Sequence, residues 1–341
     1  MLSRVYTRTL IIGSILAIIL SFVQLPYYVT KPGMAQELEP IIEVENGFGE
    51  EGSFMLTTVR MGKANVFSYL WAKISDYHYL YPTEEIRREG ETDDEYTYRQ
   101  LHLMENSQES AISVAYKHAN KEFDYVNHGV YVVSVLADMP AEKELKPGDR
   151  IYKVDEMEFA TSDEFIEYVS QKKEGTSIKL TFEREGGKQV ANLPITSFSD
   201  NPERVGIGIG LVTDREIMTD PDITINTESI GGPSAGLMFS LEIYNQLIED
   251  DISRGLKIAG TGSIDDDGNV GRIGGISQKI VAADKTGVDI FFAPNEEGKV
   301  SSNYEEALIA AEDINTEMEI VPIDTFYDAL DYLENLPKKE S

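Results

Sequence analysis

The chain reads as an α+β protein, and three patterns predict this. Strand-like pieces at 205–211, 222–226, 257–263, 288–292 and 318–322 alternate with helical ones at 234–248, 277–286, 303–313 and 324–335. A separate β-rich stretch of strand, Pro-Gly turn, strand, helix and hairpin runs from about Asn127 to 198. Ahead of both lies an apolar N-terminal segment that belongs to neither.

That segment has Arg4 and Arg8 before a charge-free span from Leu10 to Val29. A helix of that length reaches across a hydrocarbon core of about 30 Å. Tyr27 and Tyr28 stand at its far end, at headgroup level. Basic residues on the near side place the N-terminus in the cytoplasm and the bulk of the chain outside. The alternative is a cleaved signal peptide, with Gly33-Met34-Ala35 as its small-residue site. Lys31 to Gly52 is acidic and punctuated by Pro and Gly, and reads as a linker.

Phe54 to Met61 has strand composition. Asn65 to Tyr77 is helical, with Val66, Tyr69, Leu70 and Ile74 on one face. Glu84 to Glu95 is highly charged and reads as exposed. Met104, Gln108, Ala111, Ala115 and Ala119 follow helical spacing, which predicts a helix over about 104–120. In the β-rich module, Val130 to Leu136 and Ser177 to Glu183 are strands, and Ser162 to Ser170 is a helix.

Composition narrows the function. Thirty basic residues face 60 acidic ones, so a phosphate backbone would be repelled and nucleic acid is excluded as a partner. No cysteine occurs, which excludes disulfides, thiolate nucleophiles and cysteine metal sites. No Walker loop is present, and Gly206, Gly208 and Gly210 lack dinucleotide-binding spacing, so no nucleotide is expected. Asp265-Asp266-Asp267-Gly268-Asn269 lacks the distal glutamate of a calcium loop and reads as a hairpin turn. No metal or other cofactor is expected.

The chemistry concentrates in Gly231-Gly232-Pro233-Ser234-Ala235-Gly236 and Gly274-Gly275-Ile276-Ser277-Gln278-Lys279. Ser234 opens a helix whose buried face carries Leu237, Leu241, Tyr244 and Ile248. Free N–H groups at such a helix start would stabilise an oxyanion. From the turn alone, an ordinary serine helix cap is the leading reading. The base changes the balance. His78, His102, His118 and His128 all lie far upstream without motif-like neighbours. Lys279 instead begins an apolar helix that Ser277 would cap, where burial favours the free amine.

These two motifs together resemble the proteolytic domain of Lon proteases, in which a serine and a lysine form a catalytic dyad. The resemblance makes Ser234 the nucleophile and Lys279 its base, with Gly232 and Ala235 in support. Ala259-Gly260-Thr261-Gly262-Ser263-Ile264 is similar to the Lon strand whose threonine hydroxyl bonds the catalytic lysine, and Thr261 inherits that role. Thr224 and Asn226 stand where many Lon enzymes have histidines, and Gly231 where aspartate is common. Gly52 to Val59 and Met104 to Ala111 resemble the Lon opening strand and first long helix.

The module between them resembles a PDZ domain, through Leu145-Lys146-Pro147-Gly148-Asp149-Arg150-Ile151. Gly129, Val130, Tyr131 and Val132 would then form the carboxylate loop and peptide-pairing strand, with Phe165 and Val169 lining the groove or serving as plain core. The whole layout resembles the YlbL/SepM-like membrane proteases of Gram-positive bacteria. It implies a cytoplasmic stub and transmembrane helix at 1–30, a linker at 31–52, and a Lon-type domain at 53–126 and 199–337, interrupted by a PDZ domain at 127–198. The expected activity is an ATP-independent, extracytoplasmic serine endopeptidase acting on peptides or small membrane proteins. The opposing expectation is a membrane-tethered PDZ scaffold with a degenerate peptidase fold.

Overall fold

Apolar side chains segregate into two structural units, and the strands that carry them divide the same way. The computed structural model describes residues 2–88, 90–199, 201–202, 204–227 and 230–337. Glu89, in the stretch expected to be exposed, lies outside the described residues. So do the side chain of Arg4 and, in the last unit, Asp200, Glu203, Glu228 and Ser229.

The first elements are α1 (Leu2–Phe22), β1 (Gln24–Glu37), β2 (Ile42–Val44), β3 (Ser53–Asn65), α2 (Val66–Ala72), β4 (Tyr79–Pro82), α3 (Thr83–Ile86) and α4 (Asp93–His118). The central module holds β5 (Glu122–Val135), β6 (Arg150–Val154), β7 (Met157–Glu158), α5 (Ser162–Ser170), β8 (Ser177–Arg184), β9 (Gly187–Pro194), β10 (Thr196–Ser197), β11 (Val205–Gly206) and β12 (Ile209–Asp220). The last part holds β13 (Ile223–Ile225), α6 (Gly236–Leu247), β14 (Lys257–Gly260), β15 (Ser263–Ile264), β16 (Val270–Gly271), α7 (Ile276–Asp284), β17 (Ile290–Pro294), α8 (Asn303–Asp313), β18 (Glu319–Ile323) and α9 (Phe326–Glu334).

The larger unit is built on a mixed sheet of order β18-β17-β14-β3-β1-β4. The pleat sorts its side chains. Phe54 and Leu56 of β3 face a core shared with α4, α6 and α9, while Met55 faces the opposite core under α7 and α8. Both faces are covered, which explains why β17 reads as the continuous apolar run Ile-Phe-Phe-Ala-Pro. Asp265 to Asn269 forms the expected turn between β15 and β16, with the Asp265 carboxylate accepting the Asp267 and Asn269 amides at 3.0 and 2.9 Å.

The N-terminal expectations need correction. The helix ends at Phe22, and Gln24 to Glu37 pairs antiparallel with β3, so Tyr27 and Tyr28 belong to a strand rather than to a spanning helix. Among the described residues, no helix is long and apolar enough to cross a membrane. The linker expected at 31–52 is also structured. Leu38, Ile41, Ile42 and Val44 are buried against α6, and burying four such side chains outweighs the local turn signals. The helix expected at 104–120 begins at Asp93, where Thr92 and Glu95 form a capping box.

The second unit has its own core, in which Val130, Val132, Phe165, Val169 and Phe182 are buried. Its Pro-Gly turn is fastened by Asp149, which accepts the Lys146 amide at 2.7 Å and pairs with Arg184 at 2.6 Å. The unit reaches beyond 198. Val205, Ile207, Ile209 and Leu211 pack on this core, and β11 pairs with β10, so the strand expected at 205–211 belongs here.

On the large unit, an opening of about 680 Å3 is lined by Glu39, Glu43, Glu50, Glu242, Thr224 and Asn226, among others. Burial first, then acidic neighbours, raise the Glu50 and Glu242 carboxyls well above the usual 4.5. The fold therefore favours their neutral forms. Their contribution to stability is complete below the ordinary carboxylate range and is lost as pH rises through the raised values. Glu242→Gln should raise Tm by about 2–4 °C at alkaline pH and by little near pH 4.5. Calorimetry across pH tests this, and an equal gain at both ends would remove the pair from the pH dependence.

Candidate active site

Ser234 sits in a turn that glycine makes possible and α4 holds in place. Gly232 has φ +90°, and its amide donates to the Gln100 carbonyl at 2.8 Å. Two helical turns further along α4, Ser107 Oγ donates to the Pro233 carbonyl at 3.0 Å. The helix proper starts at Gly236, its N-cap is Ala235, and no side chain caps it. The serine hydroxyl is thus not used as a cap. The Ser234 and Ala235 amides donate to no acceptor among the described residues.

Lys279 comes from the first turns of α7. The left-handed Gly275 (φ +74°), not Ser277, is the N-cap of this helix, and Ser277 lies inside it. Lys279 is 3% exposed. Its Nζ lies 3.0 Å from Ser234 Oγ and donates to the Thr57 carbonyl at 2.6 Å. No carboxylate bonds it among the described residues, and burial brings its pKa down to about 7. A lysine so placed exists substantially as the free amine at neutral pH, with its lone pair available to the serine proton.

Thr261 does not play the expected part. Its fully buried hydroxyl donates to the Ser234 carbonyl at 2.8 Å, and the Gly262 amide donates to the same oxygen at 3.0 Å. It braces the backbone of Ser234, while the lysine is oriented by the main chain of β3. Sequence reasoning passed over Thr57, Gln100 and Ser107. A main-chain carbonyl leaves no residue signature. Gln100 and Ser107 are seven apart on one helix face, a spacing shared with ordinary core contacts.

The dyad opens into a cleft of about 440 Å3 walled by Met34, Leu56, Val59, Met104 and Ile230. Beyond Leu56, β3 pairs with β1 on one side, and its pairing with β14 stops. None of the four histidines lines the cleft. Thr224 and Asn226 face the acidic opening instead, so they do not stand in for catalytic histidines here.

The residues expected to form a peptide groove are brought together, but the groove is not open. Val130, Tyr131 and Val132 pair antiparallel with Thr213, Val212 and Leu211 of β12, and Gly129 with Asp214. The other edge of Val130 and Tyr131 pairs with β6. Thr213 Oγ1 accepts the Ser162 amide at the start of α5 at 3.0 Å, which sets β12 between β5 and α5. Phe165 and Val169 are 2% and 5% exposed and belong to the core. The chain's own strand thus takes the place where an added peptide strand was expected.

Comparison with known proteins agrees with both units. Residues 102–195 match the family profile of the PDZ domain, and residues 212–334 match that of the Lon protease (S16) C-terminal proteolytic domain. The chain is 25% identical over 142 residues to a Lon protease of Aster yellows witches'-broom phytoplasma, covering 41% of this chain and 17% of the relative. It is 36% identical over 103 residues to a Lon protease of Campylobacter jejuni, covering 30% of this chain and 12% of the relative. It is also 37% identical to the solved PDZ domain of an SdrC-like protein from Listeria monocytogenes, over 25% of this chain and 88% of that one, with a TM-score of 0.23. The chain spans less than a fifth of these two curated relatives. It carries a PDZ domain and a Lon-type proteolytic domain, joined in one polypeptide.

Removing one clamp of the serine turn should lower turnover. Ser107→Ala forfeits a hydrogen bond worth ~1 kcal/mol, or about fivefold in kcat. KM should barely move, and steady-state kinetics on an unstructured peptide would show the split. An unchanged kcat would mean that α4 does not set the position of Ser234.

Proposed function

We propose that this chain is an ATP-independent serine endopeptidase acting through Ser234 and Lys279, and that its N-terminal apolar helix attaches it to a membrane. One observation carries the catalytic reading: a buried lysine amine without a carboxylate partner among the described residues, 3.0 Å from a serine hydroxyl in an accessible cleft.

The steps follow from the geometry. Lys279, as the free amine, takes the Ser234 proton while Oγ attacks a peptide carbonyl. The Ser234 and Ala235 amides are the donors for the resulting oxyanion, and Pro233 has no N–H to offer. On collapse, Lys279 returns its proton to the leaving amine, and an acyl-enzyme remains. Water then attacks the acyl carbon and gives a proton to Lys279; as the ester bond breaks, Lys279 returns that proton to Ser234 Oγ and the carboxylic acid departs. An extended substrate finds a free strand edge on β3 beyond Leu56.

The sequence has no phosphate-binding loop to power unfolding, which favours short, unstructured or membrane-proximal substrates. Membrane attachment is supported by Leu10, Ile12, Ile15, Leu16, Ile18 and Ile19 of α1, each more than half exposed to solvent. An extracytoplasmic active site follows from Arg4 and Arg8 flanking that apolar stretch on its N-terminal side.

Turnover of an unstructured peptide by the detergent-solubilised chain tests the reading. Ser234→Ala and Lys279→Arg should each cost about a thousandfold or more, since an arginine cannot act as the base. The rate should rise with pH along a limb centred near 7, following loss of the Lys279 proton. Wild-type turnover by Ser234→Ala would leave the non-catalytic scaffold standing.

A further inference from the structure

The short helix α2 turns its largest side chains outward. Phe67, Leu70 and Trp71 of α2, with Ile74 just past its C-cap Lys73, follow i, i+3, i+4, i+7 spacing and border one apolar surface hollow. They are 46%, 58%, 59% and 79% exposed, and α2 has no buried residue at all. Seven residues are too few for a helix to persist on propensity alone. A capping box between Asn65 and Ser68 holds its start, and the Asn65 side chain also donates to the Ser21 carbonyl at the end of α1, at 3.2 Å. This bond brings the start of α2 beside the end of α1, where Phe22 and Val23 are also exposed.

Charge identifies what covers this face. Sixty residues of the chain are acidic, yet neither residues 1–36 nor residues 52–75 contain one. The same two segments carry Arg4, Arg8, Lys31, Arg60, Lys63 and Lys73. They are partners in the fold, since β1 and β3 pair along their length and lead into α1 and α2. Lys63 is engaged by Asp93, whereas Arg60 and Lys73 are exposed. Two paired segments that carry no carboxylate of their own, but an apolar face and basic side chains, are complementary to an anionic lipid surface, and the Asp93 carboxylate that reaches them is paired with Lys63 and Arg87.

We propose that α2 lies in the headgroup region of an anionic bilayer, with Phe67, Leu70, Trp71 and Ile74 inserted and Lys73 toward the phosphates. This rests on the membrane-attachment half of the reading above and not on its peptidase half. It also sets the height of the cleft. Thr57, whose carbonyl holds Lys279, and Asn65, which caps α2, lie on one strand. Their eight-residue separation spans at most about 26 Å at ~3.3 Å per residue. Bonds within that reach of the lipid surface are the ones presented to Ser234.

Trp71 is the only tryptophan, so its fluorescence reports on α2 alone. The full chain would be reconstituted with vesicles of phosphatidylcholine and phosphatidylglycerol, with flotation and emission measured together. The expected result is a blue-shifted emission, quenched by brominated lipid and weakened when phosphatidylglycerol is omitted. In Leu70→Glu/Ile74→Glu, flotation should persist through α1 while most of the quenching is lost. A floating wild-type chain whose Trp71 ignores brominated lipid overturns the α2 contact and leaves attachment intact. Quenching retained in the double variant overturns it as well. A wild-type chain that fails to float overturns attachment and this contact together. Emission already shifted without lipid, in a chain that sediments as a dimer, would assign the face to a second copy instead.

Discussion

The site depends on keeping one lysine amine out of water. Lys279 is enclosed by α7, β3 and the serine turn, and its polar tip meets one carbonyl and one hydroxyl. A charged lysine there would be desolvated without a counter-ion, so burial itself selects the amine. That selection is only useful if the hydroxyl stays within reach, and three separate elements see to it. β3 supplies the Thr57 carbonyl, α4 grips the turn through Gln100 and Ser107, and Thr261 with Gly262 pins the Ser234 carbonyl. The sheet is thus less a scaffold beneath the site than part of it.

How much of this was legible in the sequence varied with the range of the interaction. Ser234 and Lys279 stand in local glycine-rich motifs, because tight turns demand glycine at Gly232 and Gly275, and so they could be found. Thr261 was also visible, but the bond to Lys279 expected of its hydroxyl goes instead to the Ser234 carbonyl. The segment after α1 was misread for a related reason. Gln24 to Val44 reads in sequence as the end of an apolar span followed by an acidic, turn-punctuated linker, and only pairing with β3 and packing under α6 reveal strands and core. Tertiary contacts decide such stretches over local composition.

The PDZ module shows the same limit at domain scale. Its turn and helix were legible, since Asp149 and the α5 periodicity are local. That β12 would return to lie on β5 was not, because nothing in residues 209–220 distinguishes a strand of one unit from a strand of the other. The ladder between β5 and β12 is long, running from Glu122–Asp220 to Val135–Ile209 with two register shifts. A peptide arriving at Val130 to Val132 competes with an intramolecular strand that pays no association entropy.

That ribbon also ties the module to the peptidase. At its middle, Arg215 of β12 bonds Glu109 of α4 at 2.5 Å and lies 3.3 Å from Asp266 in the β15–β16 turn. Glu109 is 7% exposed, and burial pushes its carboxyl up despite the opposing pull of Arg215. Lifting β12 away would take from Glu109 its Arg215 partner and from Asp266 the same contact. The penalty would fall on α4 two residues from Ser107, which holds the Pro233 carbonyl. Closure of the groove and placement of Ser234 therefore draw on one helix. A strand exchange in the module cannot occur without removing a restraint beside the Ser234 turn.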